Sequence, residues 1–407
     1  MNLNVKIVII FTAVIFSSVG ILVGIDQSDS NSSMKLDFIV DQNIVNANNQ
    51  FALDFYSKLS TESNDENLFF SPTSISTAFA ILYEGAEGNT ADEMQETFGF
   101  EPDDSKRRDG FADMQRSLNP QDEQYKLRLA NALWLANGFE PLPEYTDTAA
   151  TYYDSNVESL DFSSGKAVET INRWVDEKTE GKIEKLFDNL SSATQLVITN
   201  AIYFKGEWVH QFDSERTKDM QFWTFPEESV MVPTMSLSRT DLKYARDEQV
   251  SILELPYKGD DLSMLILLPE RTDGLKSIEE SLTLDRLSEL KSNLKTVTIS
   301  VSIPKFTMET DYDLKKHLSE MGMDDAFDGM NADLSGISGA KGLFVGNAIH
   351  KAFVDVNEEG TEAAAVTGIA VLQSGLTFRA DHPFLFVIQE KETGQILFMG
   401  RMMDPTK

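Results

Sequence analysis

The chain of 407 residues contains no cysteine, which excludes disulfides, thiolate metal sites and a cysteine nucleophile together. A fold without cross-links must be held by packing, and a chain of this length can bury a core large enough for that. Cysteine usage therefore leaves the compartment undecided. Histidine is scarce as well: His210, His317, His350 and His382 are the four present, and they fall in no HExxH or other metal-binding spacing. A Gly-x-Ser-x-Gly nucleophile elbow and a phosphate-cradling glycine loop are both missing. The adjacent carboxylates Asp324 and Asp325 are no substitute, because neighbouring positions on a helix point apart. Basic residues are few, 35 Lys and Arg against 66 Asp and Glu, for a formal charge of -31. Such a surface repels polyphosphate, so no nucleic-acid partner is expected. Together these absences argue against an enzyme, and no cofactor or metal is expected.

What is present begins with Lys6 and an almost unbroken apolar stretch over residues 7–25, interrupted by Thr12, Ser17, Ser18 and glycines. It reads as an export signal. Cleaved, it would release a secreted, extracellular protein. Retained, it is just long enough to act as a membrane tether on the outer face, and no clear small-x-small cleavage site decides between the two. The polar residues 26–33 follow as a linker. The expected organisation is a signal and linker over residues 1–33 and one domain over residues 34–407.

Within that domain helical spacing comes first. Residues 46–59 carry Phe51, Leu53, Phe55, Tyr56 and Leu59 on a broad apolar face, and residues 75–83 read as a strongly buried helix. Residues 90–98 and 111–118 continue the pattern, with Gly85, Gly88 and the charge run 103–109 as connections. From about residue 195 the texture changes to short apolar or alternating runs: 196–204, 250–255, 262–268, 297–303, 348–356 and 384–389. Several are apolar on both faces, which requires a sheet covered on each side. Helices followed by strands predict a single α+β domain.

One connection stands apart. After the apolar run ending at Val356, the chain reads Asn357-Glu-Glu-Gly-Thr-Glu-Ala-Ala-Ala-Val-Thr-Gly-Ile-Ala-Val-Leu-Gln-Ser-Gly-Leu376 before the next strand near His382-Pro-Phe. Alternate positions Thr361, Ala363, Ala365, Thr367, Ile369 and Val371 are small or β-branched and uncharged, as a strand laid on a packed core requires. A loop of roughly 25 residues is usually functional.

Glu358-Glu-Gly-Thr-Glu-Ala-Ala-Ala resembles the reactive-loop hinge of inhibitory serpins. Asn67-Leu-Phe-Phe-Ser-Pro-Thr-Ser-Ile-Ser, Thr199-Asn-Ala-Ile-Tyr-Phe-Lys-Gly-Glu-Trp, Ile303-Pro-Lys-Phe, Ala332-Asp-Leu-Ser-Gly-Ile and Asp381-His-Pro-Phe-Leu-Phe resemble further serpin signatures in the family's order. The likeness runs from about residue 44 to 405. It implies a serpin fold: a five-stranded central sheet, two smaller sheets, eight or nine helices, and an exposed reactive loop at about 358–380.

The resemblance also implies inhibition of a serine or cysteine protease by a suicide-substrate mechanism, in which the cut loop inserts into the central sheet and traps the enzyme. A non-inhibitory binding or structural module is the alternative. The hinge would comprise Glu358, Gly360, Thr361, Glu362, Ala363, Ala364 and Ala365. Counting from either end of the loop puts the scissile bond near Leu372, Gln373 or Ser374, with Gln373-Ser374 between the two counts. Trypsin-like targets are disfavoured, since no Lys or Arg lies between Thr361 and Phe378.

Other positions carry over as structural roles. Ser71, Ser74, Asn200 and His350 match a polar cluster where the sheet parts, and Trp208, Lys305 and Glu358 match the point of loop entry. Polyanion activation is not expected, because the helix that carries such sites in some serpins falls near residues 121–138, where Lys126 and Arg128 are accompanied by Asp122 and Glu123. The expected state is a monomer.

Overall fold

The computed structural model describes residues 40–63, 65–118, 125–361 and 375–407. The first part is mainly helical: α1 (Gln42–Glu62), α2 (Pro72–Tyr83), α3 (Gly88–Phe98), α4 (Asp104–Ser117) and α5 (Pro143–Tyr153), interleaved with β1 (Leu68–Phe70) and β2 (Tyr125–Ala136). Then come β3 (Asn156–Leu160), α6 (Lys166–Lys178), β4 (Leu196–Glu207), β5 (Lys218–Phe225), β6 (Glu228–Arg246), β7 (Val250–Pro256) and β8 (Leu262–Pro269). Helices α7 (Leu275–Ser281) and α8 (Leu284–Ser292) precede β9 (Lys295–Pro304) and β10 (Phe306–Asp313). The last stretch holds α9 (Leu314–Glu320), the single turn α10 (Ser335–Ser338), β11 (Val345–Val356), β12 (Gly360–Thr361), β13 (Leu376–Arg379), β14 (Phe384–Glu390) and β15 (Ile396–Met402).

Five long strands in the order β10, β11, β4, β2, β3 form the central sheet, with the two-residue β12 wedged between β11 and β4 at one end. β4 is buried almost throughout, because α2 packs behind the sheet and α6 in front. The burial of α2 follows from its sequence: Ile75, Ala78, Phe79, Ala80, Ile81 and Leu82 are apolar, and the remaining interior positions are small hydroxyls rather than charges. Ser71 caps its start by accepting from the backbone N–H of Ser74, and Pro72 occupies the first turn, where no N–H is needed.

The other strands form one nine-stranded sheet, β1-β15-β14-β8-β7-β6-β9-β13 with β5 on β6. The two smaller sheets expected are thus continuous, joined by the 19-residue strand β6. β6 pairs with β5 near its start, with β7 at its end and with β9 on its other side. A break in register between Leu237 and Thr240, with Arg239 at φ 48°, re-aims β6 where the two halves meet.

Two sequence expectations need correction at the level of elements. The charge run 103–109, read as a connection, is helical: Asp103 caps α4 through the N–H of Lys106, and Arg107 turns inward to the buried Glu84 at 3.0 Å. The region near 121–138, read as a helix, contains the strand β2 instead. Its Lys126 and Arg128 both face Glu180, at 2.9 and 3.5 Å.

The alternative of a membrane tether through residues 7–25, and with it the membrane-anchored location, is also corrected. Among the described residues no helix is long and apolar enough to cross a membrane, and residues 7–25 themselves lie outside the described residues.

Candidate functional site

The central sheet is parted at one end. β11 ends at Val356, the chain reverses over Asn357–Glu359, and Gly360–Thr361 run back between β11 and β4. Thr361 lies opposite Val356 on one side and Gly206 on the other, and Gly360 lies opposite Glu207. The reversal is closed by the N–H of Asn357 donating to the carbonyl of Gly360 at 2.9 Å. Glycine is required at 360: a Cβ there would sit 2.0 Å from the Gly206 carbonyl oxygen and 2.5 Å from Glu207 Cα, both backbone atoms.

Trp208 anchors the turn from below. Its backbone N–H donates to Glu359 O at 2.8 Å and its indole N–H to Asn357 O at 3.0 Å. The ring stacks on Tyr257 with centroids 4.4 Å apart. Glu358 folds back onto the sheet end, where Lys305 Nζ approaches Oε2 at 2.7 Å and the Thr217 hydroxyl donates to Oε1 at 2.6 Å. Burial works against ionisation of this carboxyl, but Lys305 and Thr217 outweigh it and hold its pKa below the usual value. The three residues expected at the entry point, Trp208, Lys305 and Glu358, are brought together. Thr217 was not foreseen, since it reaches the site from a turn between β4 and β5.

Further along the seam between β4 and β11, Asn200 lies opposite His350, and both side chains point to the buried face behind the sheet. The Ser71 N–H donates to His350 Nε2 at 3.1 Å, so that nitrogen carries no proton and Nδ1 must donate to Asn200 Oδ1. The Asn200 amide nitrogen in turn donates to Ser74 Oγ at 2.6 Å, to Ser74 O at 2.8 Å and to Asn131 Oδ1. Ser71 Oγ donates to Leu397 O at 2.7 Å. All four expected members, Ser71, Ser74, Asn200 and His350, are fully buried and joined in one network spanning α2, β4 and β11. Burial pushes the pKa of His350 down to about 3, outweighing a hydrogen bond with Asn200 that favours the charged form. Asn131 of β2 completes the network. A polar residue interrupting the apolar run 129–136 was its one sequence signal.

The remaining hinge positions Glu362, Ala363, Ala364 and Ala365, and the scissile-bond positions Leu372, Gln373 and Ser374, lie outside the described residues. The chain is described again from Gly375, and β13 pairs in parallel with β9. Beyond it His382 is buried, with Nδ1 at 2.9 Å from Asp381 Oδ1 and Nε2 at 2.8 Å from Pro269 O. Among the described residues no group of His, Asp and Glu could hold a metal ion. The Asp325 carboxylate accepts from Asn89 at 2.7 Å.

The chain as a whole is similar to known proteins. A family model described as serpin (serine protease inhibitor) matches residues 46–405. A serpin-like, uncharacterized protein of Methanosarcina acetivorans is 41% identical over 378 residues, covering 91% of this chain and 88% of its own. The leukocyte elastase inhibitor of Homo sapiens is 40% identical over 379 residues, covering 89% of this chain and 100% of its own. Among solved structures, Serpin48 of the insect Tenebrio molitor matches with a TM-score of 0.82 at 35% identity, covering 90% of this chain and 99% of its own.

Proposed function

The chain belongs to the serpin family and is a protease inhibitor rather than a catalyst, and we propose how its own residues carry out the inhibition. A serine or cysteine protease takes residues near 373 as substrate. Its nucleophile attacks the Gln373 carbonyl, the bond to Ser374 breaks, the new amine on Ser374 takes the proton that the nucleophile gave up, and residue 373 stays bound to the enzyme as an ester (serine) or thioester (cysteine). The released hinge then enters the central sheet as an added strand, carrying the tethered protease with it.

The observation that carries this reading is the wedge of Gly360 and Thr361 between β11 and β4. Continuing its pairing with both neighbours would bring Ala364 between Tyr203 and Phe353, and Thr367 between Asn200 and His350. The side chains of 361, 363, 365 and 367 would then face the buried side. In sequence these are Thr, Ala, Ala and Thr, so no charge enters the interior, where an unpaired one would cost several kcal/mol. Glu362 would fall on the opposite face.

Mixing the protein with chymotrypsin, subtilisin, elastase, trypsin and a glutamine-specific cysteine protease tests the proposal on a denaturing gel. The expected result is a complex that survives denaturation, with a released C-terminal peptide beginning at Ser374 by mass spectrometry. Cleavage in the loop without any complex across the panel would leave a binding module on the same fold. A trypsin-like enzyme as the best target would refute the assignment of the scissile bond.

A further inference from the structure

The segment that follows α6 crosses the front of the central sheet before entering β4. It is fastened to α6 from within. The Thr179 hydroxyl donates to Val175 O at 2.8 Å and accepts from the N–H of Ile183 at 3.1 Å. Asn172 accepts from the N–H groups of Leu186 and Phe187 and donates to Phe187 O, all within 3.0 Å. Ile183, Leu186 and Phe187 are buried with α6 against the sheet. Helix and segment therefore behave as one body.

The ties from this body to the two sides of the seam are charged. Glu180 pairs with Lys126 and Arg128 of β2, and Lys351 of β11 donates to the carbonyl of Lys185 at 3.0 Å. Between them Lys182 holds its ammonium 5.9 Å from the Tyr203 ring centroid and 5.7 Å from that of Phe353. Tyr203 and Phe353 are direct partners across the β4–β11 pairing, so one cation touches both banks of the seam.

We propose that Lys182 is a latch across this seam and a positioning residue for strand insertion, setting the rate at which β4 and β11 part. The inference rests on the insertion reading above, because a strand continuing from Thr361 would pass between Tyr203 and Phe353. While both rings face each other, the cation gains from each. Once a strand separates them, it can face only one closely.

The test is the rate at which the full chain takes up a synthetic peptide with the sequence of residues 359–371, followed by the rise in thermal midpoint with incubation time. Lys182→Met keeps the aliphatic stem and loses the charge. Uptake is expected to be about two- to fivefold faster, the order set by the one part-exposed cation–ring contact that the wild type gives up as the seam parts. Lys182→Arg is expected to restore the wild-type rate, which separates a cationic latch from simple packing. Phe353→Leu should accelerate uptake and add little to Lys182→Met. Equal uptake by wild type and Lys182→Met overturns the latch and leaves insertion standing. No uptake by either, together with no protease complex, overturns both.

Discussion

Replacing His350 by glutamine tests the polar cluster through its response to acid. In the folded chain the imidazole stays neutral down to a pKa of about 3, against an ordinary value of 6.5. Below pH 6.5 the unfolded chain binds a proton that the folded chain refuses, so stability falls as the pH falls. Between pH 7.5 and 5.0 the wild-type loss from this group is about 2 kcal/mol, roughly 1.4 kcal/mol for each unit below 6.5. Glutamine can accept from the Ser71 N–H and donate to Asn200 Oδ1 without titrating. The assay is urea unfolding at constant ionic strength, read by tryptophan emission across that range. His317, also held below its usual pKa by burial, titrates in both proteins and cancels in the difference. Carboxyls held below their usual range, such as Glu358, lose their contribution only at lower pH. Wild type is expected to lose about 2 kcal/mol more than His350→Gln between the two pH values. Parallel profiles would refute the reasoning, since they would mean that the folded imidazole accepts the proton.

At the entry point, Glu358→Lys sets a second ammonium against Lys305 and removes the acceptor for Thr217. The native state is expected to lose about 1 to 2 kcal/mol and to form loop–sheet polymers on mild heating, and a variant that stays monomeric by size exclusion would contradict this. Gly360→Ala drives a Cβ into the backbone of Gly206 and Glu207, so the turn must lift away from Trp208. Red-shifted tryptophan emission, absent when Trp208→Phe is made as well, is the expected outcome. An unchanged spectrum and thermal midpoint would show that the clash is not felt.

The strands were legible in the sequence where burial on both faces makes a continuous apolar run. Residues 250–255 and 262–268 became β7 and β8 almost unchanged, since strands covered on both faces read as short continuous apolar runs. Where one side chain's destination decides the matter, the sequence was silent. Arg107 looked like part of a polar connection because its partner Glu84 is distant in sequence, just past the end of α2. β2 was missed because the helix expected near residues 121–138 rested on resemblance alone, whereas Lys126 and Arg128 reach Glu180 from a strand. The continuity of the second sheet could not be read from composition either, because it depends on an irregularity near Arg239. The site shows the same division. Motif resemblance brought together Ser71, Ser74, Asn200 and His350, whereas Asn131 and Thr217 entered only through geometry.

The wedge at Gly360 and Thr361 has a kinetic meaning as well as a structural one. With Thr361 already paired on both sides and Gly360 on one, a chain inserting as proposed would meet its slot at a local concentration on the order of millimolar or above. The loop of a neighbouring molecule has no such tether and would have to approach that concentration to compete. Self-recognition is thereby favoured over recognition of another copy at ordinary dilution. That preference lasts only as long as Trp208, Thr217 and Lys305 keep the turn in place.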